Sequence, residues 1–101
     1  EARKGQVLAR LLAMDSFLDL RARVAQALLS LSEQHGRPEA EGILLTIPFT
    51  HQEMADLLGV SRVAVSQCMG ELARQGVLTK RKGLVLLRDI AALERCRDGG
   101  A

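Results

Sequence analysis

Four side chains in the second half of the sequence have the chemistry needed to read base edges in duplex DNA. Arginine donates two hydrogen bonds to guanine, glutamine pairs bidentately with adenine, a hydroxyl bonds to either, and an aliphatic group meets a thymine methyl. At about 100° per residue three of them lie on the side of a predicted helix opposite its apolar side, and the arginine flanks them at the helix N-terminus. The candidate base contacts are Arg62, Val63, Ser66 and Gln67.

A second set of residues is suited to phosphate rather than to bases. Some lie at predicted helix starts, where backbone N–H groups and the helix dipole attract an anion. Others are basic residues that would sit at a helix end or on a hairpin. For His51, phosphate contact and an ordinary surface position are equally supported, and a charge run is often only a solvated loop. The candidate phosphate contacts are Thr50, His51, Gln52, Ser61, Arg74, Lys80, Arg81 and Lys82.

Two predicted helices joined by a three-residue turn would position these side chains. Thr50 and Glu53 form a T-x-x-E capping box, which satisfies backbone donors at a helix start. Gly59 suits the left-handed position that ends a helix, and Ser61 is a good N-cap for the next one. This pattern predicts a helix-turn-helix unit over about 50–75, whose second helix enters the major groove. Its predicted core positions are Val65, Cys68, Met69 and Leu72.

Apolar spacing before this unit predicts two more helical segments and one strand. Residues 1–14 fit an amphipathic segment, and a helix from Leu20 to about Gln34 follows a hinge capped by Asp19. His35 to Gly42 is expected to be a loop. The run 43–47 predicts a half-buried strand with Ile43, Leu45 and Ile47 on one face.

After the helix-turn-helix unit, two short apolar runs flank Lys82 and Gly83 and predict a β-hairpin over about 77–88. Asp89 then caps a last short helix that carries Ile90 and Leu93. The fold class is therefore mainly α with a small antiparallel β wing, that is, a winged helix-turn-helix.

Composition narrows the classes of function. The chain has 101 residues, 48% of them apolar, and a net charge of +2, which fits one folded domain and permits a nucleic-acid partner. Trp and Tyr are absent, which disfavours single-strand and RNA binding by base stacking. Cys68 and Cys96 are too far apart for a C-x-x-C site and are expected to be reduced cysteines in a cytoplasmic protein. No apolar run approaches the ~20 residues that span a bilayer.

Signs of catalysis are missing from the sequence. Neither histidine belongs to a pattern of nucleophile and base, and there is no glycine-rich phosphate loop or metal-ligand cluster. We therefore expect neither an enzyme nor a metal or cofactor site in these residues.

From Phe17 to about Leu93 the sequence resembles the DNA-binding domain of the Crp–Fnr family of bacterial transcription regulators. Phe17–Leu20 and Val24–Leu29 match before the helix-turn-helix unit, and Thr50–Gly59, Val60–Gln67 and Leu72–Leu78 match within and after it. The match covers most of the chain, and this set of motifs is specific.

The resemblance implies a homodimer that binds a near-palindromic DNA site through two recognition helices. Residues 1–18 would be the end of the dimerisation helix and a hinge, and 19–101 the DNA-binding domain. Because the chain starts at Glu1 rather than Met, we expect it to be part of a longer protein. The family's sensor domain is not among these residues, so the effector it would bind is unknown. Transcription activation would require a further contact with RNA polymerase.

Two positions depart from the family pattern. Where family members often carry Ser-Arg-Glu at the start of the recognition helix, this chain has Val63 in place of Glu; it also has Gln67 in place of an Arg. Both changes fall among the candidate base contacts, so we expect a shifted half-site. A winged helix used as a protein-interaction module is the alternative, and it would require a contiguous apolar patch on the recognition helix.

Overall fold

The computed structural model describes residues 2–99, with side chains from Asp19 onward. Within that range, four helices and four short strands follow one another in a mixed order. The helices are α1 (Ala2–His35), α2 (His51–Leu58), α3 (Arg62–Arg74) and α4 (Ile90–Arg97), and the strands are β1 (Gly36–Glu39), β2 (Gly42–Leu45), β3 (Leu78–Arg81) and β4 (Leu84–Leu87). The predicted winged helix-turn-helix is confirmed.

All four strands form one antiparallel sheet in the order β1-β2-β4-β3. Each half of the sheet is a hairpin, and β2 joins β4 through the pairs Ile43 with Leu87 and Leu44 with Leu86. The second hairpin, β3 and β4 with the turn between them, is the wing. The sheet therefore fixes the wing to the rest of the domain along β4.

The first helix is longer than the sequence pattern suggested. Helix α1 runs without interruption from Ala2 to His35, so the prediction that Asp19 caps a new helix at a hinge is wrong. Asp19 lies inside α1 with its carboxylate 4.0 Å from the guanidinium of Arg23, one turn later. Acidic and basic residues four apart on a helix attract each other, which makes an acidic residue acceptable there. The predicted amphipathic side of residues 1–14 lies outside the described side chains.

The predicted loop after α1 is also wrong, because Gly36–Glu39 forms strand β1. An ideal Cβ on Gly36 would lie 2.2 Å from the Ser32 carbonyl oxygen, so only glycine lets the chain turn this tightly from helix into strand. Pro38 is tolerated because β1 is an edge strand of the sheet. A proline and two glycines in a short run concealed this hairpin from the sequence pattern.

The predicted position of strand β2 is confirmed, but its side chains do not alternate between buried and exposed as predicted. Leu44 is buried opposite Leu86, and Leu45 is buried in the main core. Ile47, predicted to share the inner face, lies beyond the end of β2 and is 40% exposed. A strand between two others can bury both faces, so strict alternation does not apply to it.

One apolar core joins α1, the helix-turn-helix unit, the sheet and α4. It includes Val24 and Leu28 of α1, Val65 and Leu72 of α3, and Leu93 of α4, each at most 1% exposed. No charged or polar residue is buried among the residues for which side chains are described. The core therefore holds α3 by its apolar side only.

Candidate nucleic-acid interface

The ends of α2 and α3 are fixed by the predicted caps. The Thr50 hydroxyl accepts the Glu53 N–H at 3.0 Å, and the Glu53 carboxylate accepts the Thr50 N–H at 2.9 Å. Gly59 ends α2 with φ of 71°, and the Ser61 hydroxyl accepts the Ala64 N–H at 3.1 Å. These local bonds set the three-residue turn that orients α3 against α2.

Helix α3 has one buried side and one solvent side. Val65, Cys68, Met69 and Leu72 are all buried, as predicted. Burial raises the pKa of the Cys68 thiol to about 11, so Cys68 stays protonated and acts as a small apolar residue of the core.

The opposite side of α3, which we call the outward face, comprises Arg62, Val63, Gln67 and Arg74, all exposed. Among the described side chains, Arg62 and Gln67 are not used in any hydrogen bond or ion pair of the domain. Val63 is 55% exposed. Arg74 differs from the others, because its guanidinium lies 2.5 Å from the Glu71 carboxylate. This contact lowers the pKa of Glu71 and compensates the charge of Arg74.

The structure places Ser66 beside α2 rather than with the outward face. Its hydroxyl lies 2.7 Å from Nδ1 of His51, and both side chains are half-buried. The sequence predicts Ser66 to be a base contact and His51 to be a separate phosphate contact. The structure brings them together in one hydrogen bond across the two helices, a pairing that sequence spacing gave no means of finding.

The other residues near the helix starts differ in which of their polar groups are already hydrogen-bonded within the domain. Thr50 and Ser61 use their hydroxyl oxygens as caps, which leaves each O–H group able to donate to an anion. Gln52 instead donates its side-chain amide to the Asp56 carboxylate at 2.8 Å. A phosphate beside Gln52 would therefore also lie near a negative charge.

The wing turns through two residues with positive φ, Lys82 at 53° and Gly83 at 81°. Two such residues form the type I′ turn whose twist matches a hairpin, and Asn-Gly is the preferred pair there. Lysine rarely adopts this conformation, and Lys82 is the one non-glycine residue with positive φ in the described range. The turn puts the Lys82 side chain at the exposed tip of the wing.

The three basic residues of the wing are not equivalent. Arg81 is half-buried, with its guanidinium 3.0 Å from the Glu39 carboxylate and 2.5 Å from that of Glu41. These two carboxylates raise the pKa of Arg81. Lys80 and Lys82 are exposed and form no ion pair with any described residue. The three are equivalent in the sequence pattern, whereas in the structure Arg81 is bound to the first hairpin by its ion pairs.

Two arginines of α1 form hydrogen bonds to the helix-turn-helix unit, near the C-terminal ends of α2 and α3. Arg23 donates to the Leu58 carbonyl at the end of α2. Arg21 donates to the Gln75 side chain at 3.3 Å, just past α3, and lies 3.6 Å from the Cys96 sulfur of α4. Cations are favoured at helix C-termini by the helix dipole, so these contacts help to fix both helices relative to α1.

Comparison with known proteins identifies the family. The profile of the Crp-like helix-turn-helix domain matches residues 22–96. The chain belongs to this family. The resemblance found in the sequence is thereby confirmed, and the described geometry is that of a Crp-like helix-turn-helix domain.

Several relatives of this Crp-like domain are transcription regulators. The transcriptional regulator LdrP of Thermus thermophilus is 37% identical over 78 residues, covering 76% of this chain and 39% of LdrP. A CRP-like cAMP-activated global transcriptional regulator of Mycobacterium tuberculosis is 33% identical over 79 residues, covering 78% of this chain and 35% of that protein. The chain thus spans well under half the length of these relatives.

The fold is also that of a solved member. The catabolite activator protein of Thermus thermophilus superposes with a TM-score of 0.78 at 37% identity, covering 99% of this chain and 44% of that one. Among the described residues, none of the helices combines the length and the apolar character of a membrane span. Nor do those residues include a group of three or more His, Cys, Asp and Glu side chains arranged for a metal ion.

Proposed function

We propose that this Crp-like domain binds duplex DNA in a sequence-specific manner, with α3 in the major groove. The observation that carries the proposal is the outward face. Arg62 and Gln67 offer complete sets of hydrogen-bonding groups to a partner, because no described residue uses them. Exposed side chains that have no partner in the domain are available to bond to base edges. An ordinary helix surface, by contrast, is commonly covered by intrahelical ion pairs.

The contacts divide into base contacts and phosphate contacts. Arg62 and Gln67 would donate to base edges, and Val63 would meet a thymine methyl. Thr50 and Ser61 would donate to phosphates from the starts of α2 and α3. Ser66 is better placed to hold His51 than to reach a base, because its hydroxyl already bonds to that ring.

The wing would add phosphate contacts through Lys80 and Lys82, whose charges are not compensated by any described residue. Arg81 and Arg74 are weaker candidates, because each already pairs with a carboxylate of the domain. Phosphate contacts of this kind supply affinity without sequence preference and release counterions on binding. The lysines would thus supply affinity, and the outward face would supply sequence choice.

The functional unit would be a homodimer on a near-palindromic site. Two recognition helices in successive major grooves require half-sites about 34–36 Å apart, or one turn of DNA. The 34-residue helix α1 could extend from the domain into the partner contact, as the family resemblance implies. RNA polymerase would be a further partner of the whole regulator if it activates transcription.

The alternative, a protein-interaction module, would need an apolar patch on the recognition helix, and the apolar surface of the described domain lies elsewhere. Leu57 is 73% exposed and borders a groove of about 480 Å³ between α1, α2 and α4, lined also by Ala22, Ala27 and Leu58. This groove contains none of the outward-face residues. A protein partner there would be independent of DNA binding, so Leu57→Ser should leave duplex affinity unchanged.

Selection of duplexes from a random pool, followed by footprinting of the enriched sites, tests the proposal. An enriched palindrome protected on both half-sites is expected. Enrichment of the half-site common in the family would contradict the shifted preference expected from Val63 and Gln67. Failure to enrich any sequence would contradict sequence-specific binding by this domain.

A further inference from the structure

The groove beside Leu57 combines a protruding apolar side chain with a recess next to it. Leu57 is 73% exposed near the end of α2, whereas its neighbour Leu58 is half-buried. The recess of about 480 Å³ between α1, α2 and α4 is called the Leu57 groove below. A surface that carries both a protruding side chain and an open recess can fit a second surface of the same shape.

The polar side chains that line the Leu57 groove are Arg23, Gln26 and Arg97, and no carboxylate lines it. Arg23 lies 4.0 Å from the Asp19 carboxylate, and Arg97 lies 2.9 Å from that of Asp98. Ion pairs between exposed groups are weak, so these guanidiniums can bind a further carboxylate. Because carboxylates outside the groove also act on Arg97, Arg23 is the better partner for one that enters from outside.

Helix α2 carries the opposite charge. It contains two carboxylates and neither lysine nor arginine. Its exposed side chains are Gln52, Glu53, Asp56 and Leu57, which at helical spacing share one side. Glu53 belongs to the capping box, whereas Asp56 accepts a single hydrogen bond among the described residues, from the Gln52 amide at 2.8 Å. A carboxylate thus lies directly beside the protruding leucine.

We infer that the Leu57 groove binds a second copy of this domain in a two-fold contact. Both copies offer the same surface in such a contact, so a protruding group and a groove that accepts it must lie on one chain. Leu57 of each copy packs in the groove of the other, and Asp56 of each copy pairs with Arg23 of the other. A DNA strand in this groove would be repelled by Asp56, and a small ligand would leave Leu57 in water.

This contact differs from those already described. The groove contains none of the outward-face residues, and it lies outside residues 1–18, where the family resemblance places the dimerisation helix. Two regulators joined through the groove would bind neighbouring DNA sites cooperatively, because one bound copy raises the local concentration of the next. That consequence rests on the proposed function, whereas the contact itself does not.

Sedimentation equilibrium of the 101-residue chain without DNA, over a concentration series, tests the contact. Leu57→Lys removes the apolar group and places a cation against Arg23, so the dissociation constant should rise at least about tenfold. The highest mass reached by wild type should be twice that of Leu57→Lys, whether or not α1 also pairs the chains. Ile47→Ser is the matched control, because Ile47 is 40% exposed but does not line the groove. Its association should equal that of wild type.

A second series at Gln26 tests the charge pairing by gain as well as by loss. Gln26 is an exposed residue of the groove. Gln26→Arg adds a cation that faces Asp56 of the other copy, so the dissociation constant should fall about two- to fivefold. Gln26→Glu should raise it. In an Asp56→Lys background this order should reverse, which a folding defect cannot produce.

Each outcome bears on the inference. Equal masses for wild type and Leu57→Lys at every concentration would overturn it, and so would an order of Gln26 variants that Asp56→Lys leaves unchanged. Association as expected by a wild type that binds no duplex would contradict the proposed function and leave the contact standing. The two failures are therefore distinguishable.

Discussion

The two sides of α3 differ in their contacts within the domain, although they belong to one helix of 13 residues. On the inner side, Val65, Cys68 and Leu72 are at most 1% exposed. On the outward face, Val63 is 55% exposed and Gln67 forms no bond within the described domain. The inner side fixes where the helix lies, and the outward face is left to a partner. Stability and recognition should therefore be separable by substitution.

The wing shows the same division on a smaller scale. Arg81 is bound to Glu39 and Glu41 of the first hairpin, while Lys82, next in sequence, is exposed at the turn. One basic residue holds the wing in place and its neighbour is free to meet DNA. Adjacent charges of the same sign thus have different expected roles.

The largest expected effect is on folding, from the inner side of α3. Leu72→Ala removes a side chain that is 1% exposed, so the free energy of unfolding should fall by about 2–5 kcal/mol. Urea unfolding measures this loss. At a temperature where the variant is folded, its order of preference among duplexes should match wild type. If Leu72→Ala changed the preference among duplexes and left the free energy of unfolding unchanged, the inner side of α3 would not be purely structural.

Next in size is the loss of one base contact on the outward face. Gln67→Ala should weaken binding to the selected site by about 1–3 kcal/mol and relax the preference at one base pair of each half-site. Its unfolding free energy should stay within about 0.5 kcal/mol of wild type. Competition with single-base variants of the site provides the measurement. An equal loss on every duplex would show that Gln67 does not read a base.

A comparison of Lys82→Ala with Arg81→Ala sharpens the contrast within the wing. Lys82→Ala should reduce the slope of log affinity against log salt by about one, with little change in stability. Arg81→Ala should change that slope less and should lower the melting temperature slightly, because it breaks an ion-pair network that joins the two hairpins. Equal salt slopes for the two variants would show that Arg81 contacts phosphate despite its ion pairs.

The smallest effect concerns the strained turn. Lys82→Asn places a residue that favours positive φ before Gly83, so stability should rise by about 0.5 kcal/mol. DNA affinity should nevertheless fall as in Lys82→Ala, because the charge is lost. Thermal melts and anisotropy titrations on the same samples would show the rise in stability and the fall in affinity. A gain in both quantities would mean that Lys82 does not contact phosphate.

Local chemistry explains what could be predicted from the sequence. The caps at Thr50 and Ser61, the end of α2 at Gly59 and the hairpin around Gly83 all depend on neighbours within a few residues. The 3.6-residue period separated the buried side of α3 from its solvent side. The fold followed from these signals, and so did the exposure of Arg62, Val63 and Gln67.

The features that the sequence could not supply are those that distant residues decide. The Arg81 ion pairs join residues about 40 positions apart, and the His51 bond to Ser66 crosses two helices. Strand β1 depends on pairing with β2 rather than on its own sequence, which contains Gly36 and Pro38. Asp19 has the residue type of a cap but lies inside α1. Residue type alone could not distinguish these cases.

The most direct test of the account is a salt series of anisotropy titrations with wild type, on the selected duplex and on a scrambled duplex of the same composition. We expect both affinities to fall steeply as salt rises, because both include the phosphate contacts. The ratio between them should change little, because it reports the base contacts of the outward face. Equal affinities for the two duplexes at every salt concentration would contradict base recognition by α3.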